Sequence, residues 1–147
     1  MYTVLYSSTE WQNALVDHYM EKQSSITNDK TIGTLLVLEH SPVYTLGSST
    51  GPNSGPFDRN NNLPQSKLWY DIVEVERGGQ ATYHGPGQLV LYPIIDLSFF
   101  EKDINSYLRG LEQVVINTAA EFEVFADRVD GLTGVWVGDK KISAIGK

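Results

Sequence analysis

The chain has 147 residues, 41% hydrophobic and 20% charged, with no cysteine and 11 basic against 18 acidic residues for a formal charge of −7. This length fits one α/β-sized domain spanning residues 1–147, able to bury about two-thirds of its unfolded surface, and the acidic balance disfavours a general nucleic-acid binder because phosphate backbones reward basic surfaces. Without cysteine these residues form no disulfide, no thiolate–zinc site and no cysteine nucleophile. No apolar run approaches the ~18 residues of a membrane span. The N-terminus, Met1-Tyr2-Thr3-Val4-Leu5-Tyr6, lacks the basic segment, apolar stretch and cleavage site of a secretory signal, which implies a soluble, cytoplasmic protein.

In chain order, Thr3–Tyr6 reads as a short strand. Ser7-Ser8-Thr9-Glu10 then matches a capping box, a hydroxyl at a helix start with a glutamate three residues on. The following helix carries Trp11, Leu15 and Tyr19 on one face, with Ala14 and His18 on its flank. Gly33–Glu39 is β-rich, broken at Pro42 and resumed over Val43–Leu46. Residues 48–67, rich in Gly, Pro, Asn and Ser, predict a long loop. Strands resume at Asp71–Val75 and within Gln88–Leu97. Asp103 is placed to cap a helix whose apolar positions are Ile104, Leu108, Leu111, Val115, Ala119 and Phe122. Gly134–Val137, the turn Gly138-Asp139 and Lys141–Ile145 predict a β-hairpin. Strands outnumber helices without regular βαβ alternation, which favours an α+β fold, a mixed β-sheet with helices on one side.

The densest polar cluster is Arg77-Gly78-Gly79-Gln80-Ala81-Thr82-Tyr83-His84-Gly85-Pro86-Gly87-Gln88. Its glycines allow close backbone approach to a ligand, and Arg77, Tyr83 and His84 supply groups that orient a polar head group. On composition alone, a tight turn between two strands has equal standing. The segment is neither a Walker loop nor a Gly-x-Gly-x-x-Gly dinucleotide pattern, and His18, His40 and His84 lack metal-ligand spacing.

The order of residues in Arg77–Gln88 resembles the signature Arg-Gly-Gly-x-x-Thr-Tyr-His-Gly-Pro-Gly-Gln of the lipoyl(octanoyl) transferases, matched at every defined position. Two co-linear segments agree with it: Leu38-Glu39-His40-Ser41-Pro42-Val43-Tyr44-Thr45-Leu46-Gly47 upstream, and Gly134-Val135-Trp136-Val137 with Lys140-Lys141-Ile142-Ser143-Ala144-Ile145-Gly146 downstream. The resemblance implies a biotin/lipoate protein ligase-like catalytic domain, incomplete at the C-terminus. It implies an acyltransferase that moves octanoyl from octanoyl-acyl carrier protein to a lysine of a lipoyl domain, through an acyl-cysteine intermediate. The acceptors would be lipoyl domains of 2-oxoacid dehydrogenase complexes or the glycine cleavage H protein, and no metal or cofactor is expected.

By the same resemblance Arg77, Gly78, Gly79, Gln80, Ala81, Thr82, Tyr83 and His84 line the acyl site. Ala144, Ile145 and Gly146 form another wall, and Lys141 is the catalytic lysine. Chemistry agrees with the last role, because an ammonium beside a thiol stabilises the nucleophilic thiolate. The resemblance implies that Lys141 points into a shared cavity with His84, and strand alternation then turns Lys140 away from it. The family places its nucleophilic cysteine beyond the Ala-Ile-Gly wall, so the isolated chain is expected to be inactive. Two rivals remain open: a non-catalytic module that binds acyl carrier protein or a lipoyl domain, and an ATP-dependent lipoate ligase-like enzyme.

Overall fold

The computed structural model describes residues 2–3, 5–24, 32–51, 70–100 and 103–146, with residues 2–3, 5–7 and 23–24 described by backbone alone. Most of the loop expected over 48–67 lies outside the described residues. The chain divides into two compact units, Met1–Asp96 and Leu97–Lys147.

In the first unit, strand β1 is Tyr2–Thr3 and helix α1 is Leu5–Ser24. The expected strand over Thr3–Tyr6 is therefore cut short, and the Ser7–Glu10 capping box falls inside the helix. The sheet explains the early start. β1 runs parallel to β2, Gly33–His40, with Tyr2 opposite Glu39 and Thr3 opposite His40. His40 is the last residue of β2, so a longer β1 would have no ladder to follow. The chain turns into helix instead, beginning at Leu5, a strong helix former.

The inward face of α1 is also rotated from the apolar expectation. Ser8 is buried and Leu15 and Tyr19 are half-buried, whereas Ala14 and His18 are exposed and Trp11 is 46% exposed. Hydrogen bonds account for the rotation: the Tyr19 hydroxyl lies 2.7 Å from Thr34 Oγ1, and Ser8 bonds the phenol of Tyr92. The helix thus meets a sheet face that carries polar groups needing partners. Strand β6, Val90–Ile95, completes this sheet antiparallel to β2, with Leu36 opposite Tyr92.

A second sheet of the same unit has β3, Val43–Leu46, at its centre. It is flanked by β4, Asp71–Glu74, in parallel and β5, Ala81–His84, antiparallel. Val43 and Val73 are buried together, with Val75 packed against them. The mixed pairing and the packed helix agree with the α+β expectation, but the described strands form three separate sheets rather than one.

In the second unit, a 3-10 turn at Leu97–Phe99 precedes helix α2, Ile104–Glu121. Its N-cap is Asp103, as the sequence predicts: the carboxylate accepts the Asn105 and Ser106 N–H groups at 3.3 and 2.8 Å. Leu108, Leu111, Val115 and Ala119 are half-buried, but Ile104 and Phe122 at the ends are exposed. Strands β7, Val135–Val137, and β8, Lys140–Ser143, form the hairpin. Gly138 opens its two-residue turn at φ +59 while Asp139 keeps a negative φ, the pattern of a type II′ turn. β8 ends at Ser143, two residues short of the expected Ile145.

The fully buried residue of α2 is a carboxylate, Glu112. Its Oε2 accepts Arg109 Nη1 at 2.7 Å and Arg128 Nε at 2.9 Å, and its Oε1 accepts the Gly134 N–H at 2.9 Å. Burial alone pushes the carboxyl pKa up. Hydrogen bonds from Gly134, Arg109 and Arg128 outweigh burial and hold it below its ordinary 4.5. This group ties the helix to the start of the hairpin.

Replacing Glu112 with Ala should destabilise the protein by on the order of 2–3 kcal/mol, because it leaves a buried N–H and two cations without their acceptor. The wild-type advantage should be complete above pH 4.5, where even the unfolded carboxyl is ionised, and should fade as pH falls through the lower folded value. Urea titrations of both proteins across the acid range test this; a gap that persists unchanged at low pH contradicts it.

Candidate functional site

The signature Arg77–Gln88 opens in the loop after β4, forms β5 and closes in the turn before β6. Register decides what each residue faces. Along β5, Thr82 lies opposite Thr45 and His84 opposite Val43, while Tyr83 lies opposite Tyr44 and Ala81 opposite Leu46. Opposed residues share a face and neighbours alternate. One face therefore carries Thr45, Thr82 and His84, and the other carries Tyr44, Ala81 and Tyr83.

Arg77 turns onto the first face. Its Nη2 donates to Thr45 Oγ1 at 2.6 Å and to the Thr45 carbonyl at 3.0 Å, and its Nη1 donates to the Gly78 carbonyl at 2.9 Å. The loop can fold this tightly because position 47 is glycine: a Cβ there would sit 2.5 Å from the Gly79 carbonyl oxygen and 3.0 Å from the Arg77 guanidinium. Burial lowers the Arg77 pKa from its ordinary value, with Tyr92 acting in the opposite direction, yet a guanidinium stays cationic at neutral pH.

His84 continues the chain of bonds. Its Nδ1 lies 2.7 Å from Gln88 Oε1, and the Gln88 amide nitrogen donates to the Tyr83 carbonyl at 3.4 Å, which fixes Oε1 as the acceptor. The partners thus assign the imidazole proton to Nδ1. Nε2 is left as an acceptor facing the Thr45 hydroxyl, 3.3 Å away, whose single proton also has the Thr82 carbonyl within reach at 3.4 Å. Burial depresses the His84 pKa below 6.5; the Gln88 bond opposes this, and His40 and Arg77 add to it. The result is a connected relay that runs from Arg77 through Thr45 to neutral His84 and Gln88.

Behind it stands a second polar pair. His40 is fully buried, with its ring 5.8 Å from that of His84 and its Nε2 3.0 Å from the Tyr92 hydroxyl. Burial raises the Tyr92 pKa, against the effects of Ser8 and Arg77. Glu39 fastens the Gly-Pro-Gly turn, its Oε1 accepting the Gly87 N–H at 2.9 Å. On the opposite face the rings of Tyr44 and Tyr83 lie 5.1 Å apart, and those of Tyr44 and Tyr70 lie 4.8 Å apart.

The sequence candidates thus divide. Arg77, Thr82 and His84 come together around Thr45, Ala81 and Tyr83 face the other way, and Gly78, Gly79 and Gln80 lie in an exposed turn. A cavity of about 470 Å³ beside the Arg77 loop is lined by Ser48, Glu74, Val75 and Glu76. Its two carboxylates make it a poor host for an apolar tail.

In the second unit, Lys141 pairs with Trp136 across the hairpin and Lys140 with Val137, so the two lysines project to opposite faces. The Lys141 ammonium donates to the Thr133 carbonyl at 2.9 Å and lies 4.5 Å from the centre of the Trp136 ring. Ala144, Ile145 and Gly146 follow the end of β8, Ile145 half-buried and the other two exposed. Among the described residues no group of three His, Cys, Asp or Glu residues is placed to hold a metal ion. No described helix is long and apolar enough to cross a membrane.

Residues 6–147 match the family model of the lipoyl protein ligase A/B catalytic domain. The chain belongs to this family. Within it, the chain is 45% identical to the chloroplastic octanoyltransferase of Arabidopsis thaliana over 92% of its own residues and 46% of that protein's. It is 49% identical to the octanoyltransferase of Clostridium kluyveri over 78% of its residues and 48% of the relative's. With the octanoyltransferase of Gloeobacter violaceus it shares 43% identity over 93% of its residues and 55% of the relative's. The chain spans about half the length of the curated relatives it matches.

Sequence reasoning quoted Glu39, His40 and Thr45 as part of the upstream segment but gave them no role. The signal was their fixed co-linearity with Arg77–Gln88. Glu112 carried no signal, since one glutamate in an amphipathic helix reads as a solvent-facing residue.

An NMR titration of the His84 imidazole should give a pKa below 6.5 with the neutral Nδ1–H form dominant at pH 7. Because the Arg77 charge depresses it, Arg77→Met should raise it part of the way back. An unchanged or lower value in that variant would contradict the electrostatic coupling.

Proposed function

We propose that this chain carries much of the substrate-binding and lysine-bearing machinery of an octanoyltransferase, which moves octanoyl from octanoyl-acyl carrier protein to a lysine of a lipoyl domain. The observation that carries the reading is the family match over residues 6–147, together with relatives named octanoyltransferase at 43–49% identity. In the proposed reading, the segment Arg77 to His84 contributes to acyl binding through the face that carries Arg77, Thr82 and His84, and Ala144, Ile145 and Gly146 contribute to it as well. Lys141 acts as the thiol-activating lysine, and the protein works in an aqueous compartment such as the cytoplasm. The Arg77–Thr45–His84 relay supports a rigid, pre-oriented wall, since each polar group already has a partner.

The chemistry needs a thiol. A thiolate adds to the thioester carbonyl, the carbon–sulfur bond to the carrier breaks, and the carrier's sulfur leaves and takes a proton. The neutral amine of the acceptor lysine then displaces the enzyme sulfur to give an amide. Lys141 favours the thiolate by its charge. The 147 residues contain no cysteine, so the thiol must come from outside them. The same fact favours a second reading, in which these residues alone bind carrier or lipoyl domain without turnover. ATP-dependent labelling of a lipoyl domain would instead revive a ligase-like activity.

The chain as written should show no octanoyl adduct by intact-mass measurement after incubation with octanoyl-acyl carrier protein. Fused to the C-terminal half of the Clostridium kluyveri octanoyltransferase, it should gain a thioester adduct, and Lys141→Ala should suppress that adduct by tenfold or more, on the order expected for removing one charge from the transition state. Robust adduct formation by the cysteine-free chain would overturn the proposal, since a hydroxyl or amine here would then be the nucleophile.

A further inference from the structure

Glu112 is a buried carboxylate that the proposed reaction does not use. It lies 1% exposed, while the side chains of its partners Arg109 and Arg128 are 51% and 29% exposed. Both arginines reach Oε2, leaving Oε1 for the Gly134 N–H. That N–H belongs to the same peptide unit as the Thr133 carbonyl. In a trans peptide the N–H and C=O point in opposite directions, and no described peptide bond is cis. Aiming the Gly134 N–H at Glu112 therefore aims the Thr133 carbonyl away from it, and that carbonyl is the acceptor of the Lys141 ammonium at 2.9 Å. Glycine at 134 makes the arrangement possible: φ is +126, and a Cβ would lie 2.6 Å from the Ser143 carbonyl oxygen and 3.1 Å from Lys141 Cε.

We propose that Glu112 is the positioning residue for Lys141, holding the lysine ammonium in place through the Thr133–Gly134 peptide. The peptide is clamped at both ends, by a buried carboxylate on α2 and by the lysine on β8. Because its orientation is set before any ligand arrives, the ammonium is presented at a fixed point above Trp136 and does not sample the rotamers of a free surface lysine. The catalytic meaning rests on the reading of Lys141 given above, but the clamp itself is a property of these residues alone.

The test uses the full chain and no octanoyl donor, so its outcome is independent of whether the protein transfers octanoyl. Competitive labelling with an amine-acylating reagent, read by peptide mass spectrometry, gives the reactivity of Lys141 relative to Lys140. Glu112→Met removes the acceptor of the Gly134 N–H and should raise Lys141 reactivity by roughly three- to tenfold, the worth of one lost hydrogen bond. Glu112→Gln keeps a carbonyl for that N–H, since the exposed Arg109 and half-buried Arg128 can turn to water and the buried amide cannot, and should leave Lys141 close to wild type. Both variants lose the arginine pairs and some stability. A purely structural role would make Lys141 reactivity follow stability in both; that result, or no change in Glu112→Met, overturns the proposal. Should Glu112→Met fail to fold, scalar couplings across hydrogen bonds in the wild-type protein decide: coupling from Gly134 N to the Glu112 carboxyl carbon supports the clamp, and its absence refutes it.

Discussion

A single hydroxyl organises the signature unit. Thr45 stands in the central strand of its sheet at 2% exposure, where a polar atom is tolerated only with partners. It meets that demand by accepting from Arg77 and facing His84 Nε2. Satisfying it draws the loop after β4 and the end of β5 to one place, although 32 and 39 residues separate them from Thr45 along the chain. The glycine at position 47 follows from this demand: the loop carrying Arg77 passes so close to it that no side chain fits there. The small apolar cluster of Val43, Val73 and Val75 supplies burial, and the relay supplies direction.

The second unit repeats the principle with a charge. Glu112 gathers Arg109, Arg128 and the Gly134 N–H, and the hairpin that bears Lys141 starts from that N–H. A carboxylate so placed contributes less through Coulomb attraction, which burial largely cancels, than through the penalty for any arrangement that leaves it unpaired. In each unit one buried polar group therefore specifies where a candidate site residue stands. An apolar side chain of the same size would fill the space without setting an orientation.

Much of this was legible in the sequence, and the divisions are physical. The Asp103 cap, the β4 and β6 strands and the Gly138-Asp139 turn are local, so their residues announce them. The signature declared itself through order rather than composition, since composition alone left a plain turn equally open. The misplacements have a common source. The start of α1 is set by where β2 ends, and its inward face by hydroxyls on the sheet beneath, so Trp11, Ala14 and His18 look core-facing by period and are not. Glu112 was invisible because two of its three partners, Arg128 and the Gly134 N–H, lie 16 and 22 residues on, in segments with no helical relation to it. Tyr83 and His84 stand adjacent in the motif, but strand alternation sends them to opposite faces.

The central claim is that Thr45 couples Arg77 to the signature strand. A double-mutant cycle on the free energy of unfolding, with Arg77→Met, Thr45→Val and the double variant, measures that coupling with shared background effects removed. The account predicts a favourable coupling of about 1–2 kcal/mol, as expected for a charge-assisted hydrogen bond in a partly buried setting. Additivity within about 0.3 kcal/mol would contradict it, because Arg77 and Thr45 would then be neighbours without being partners.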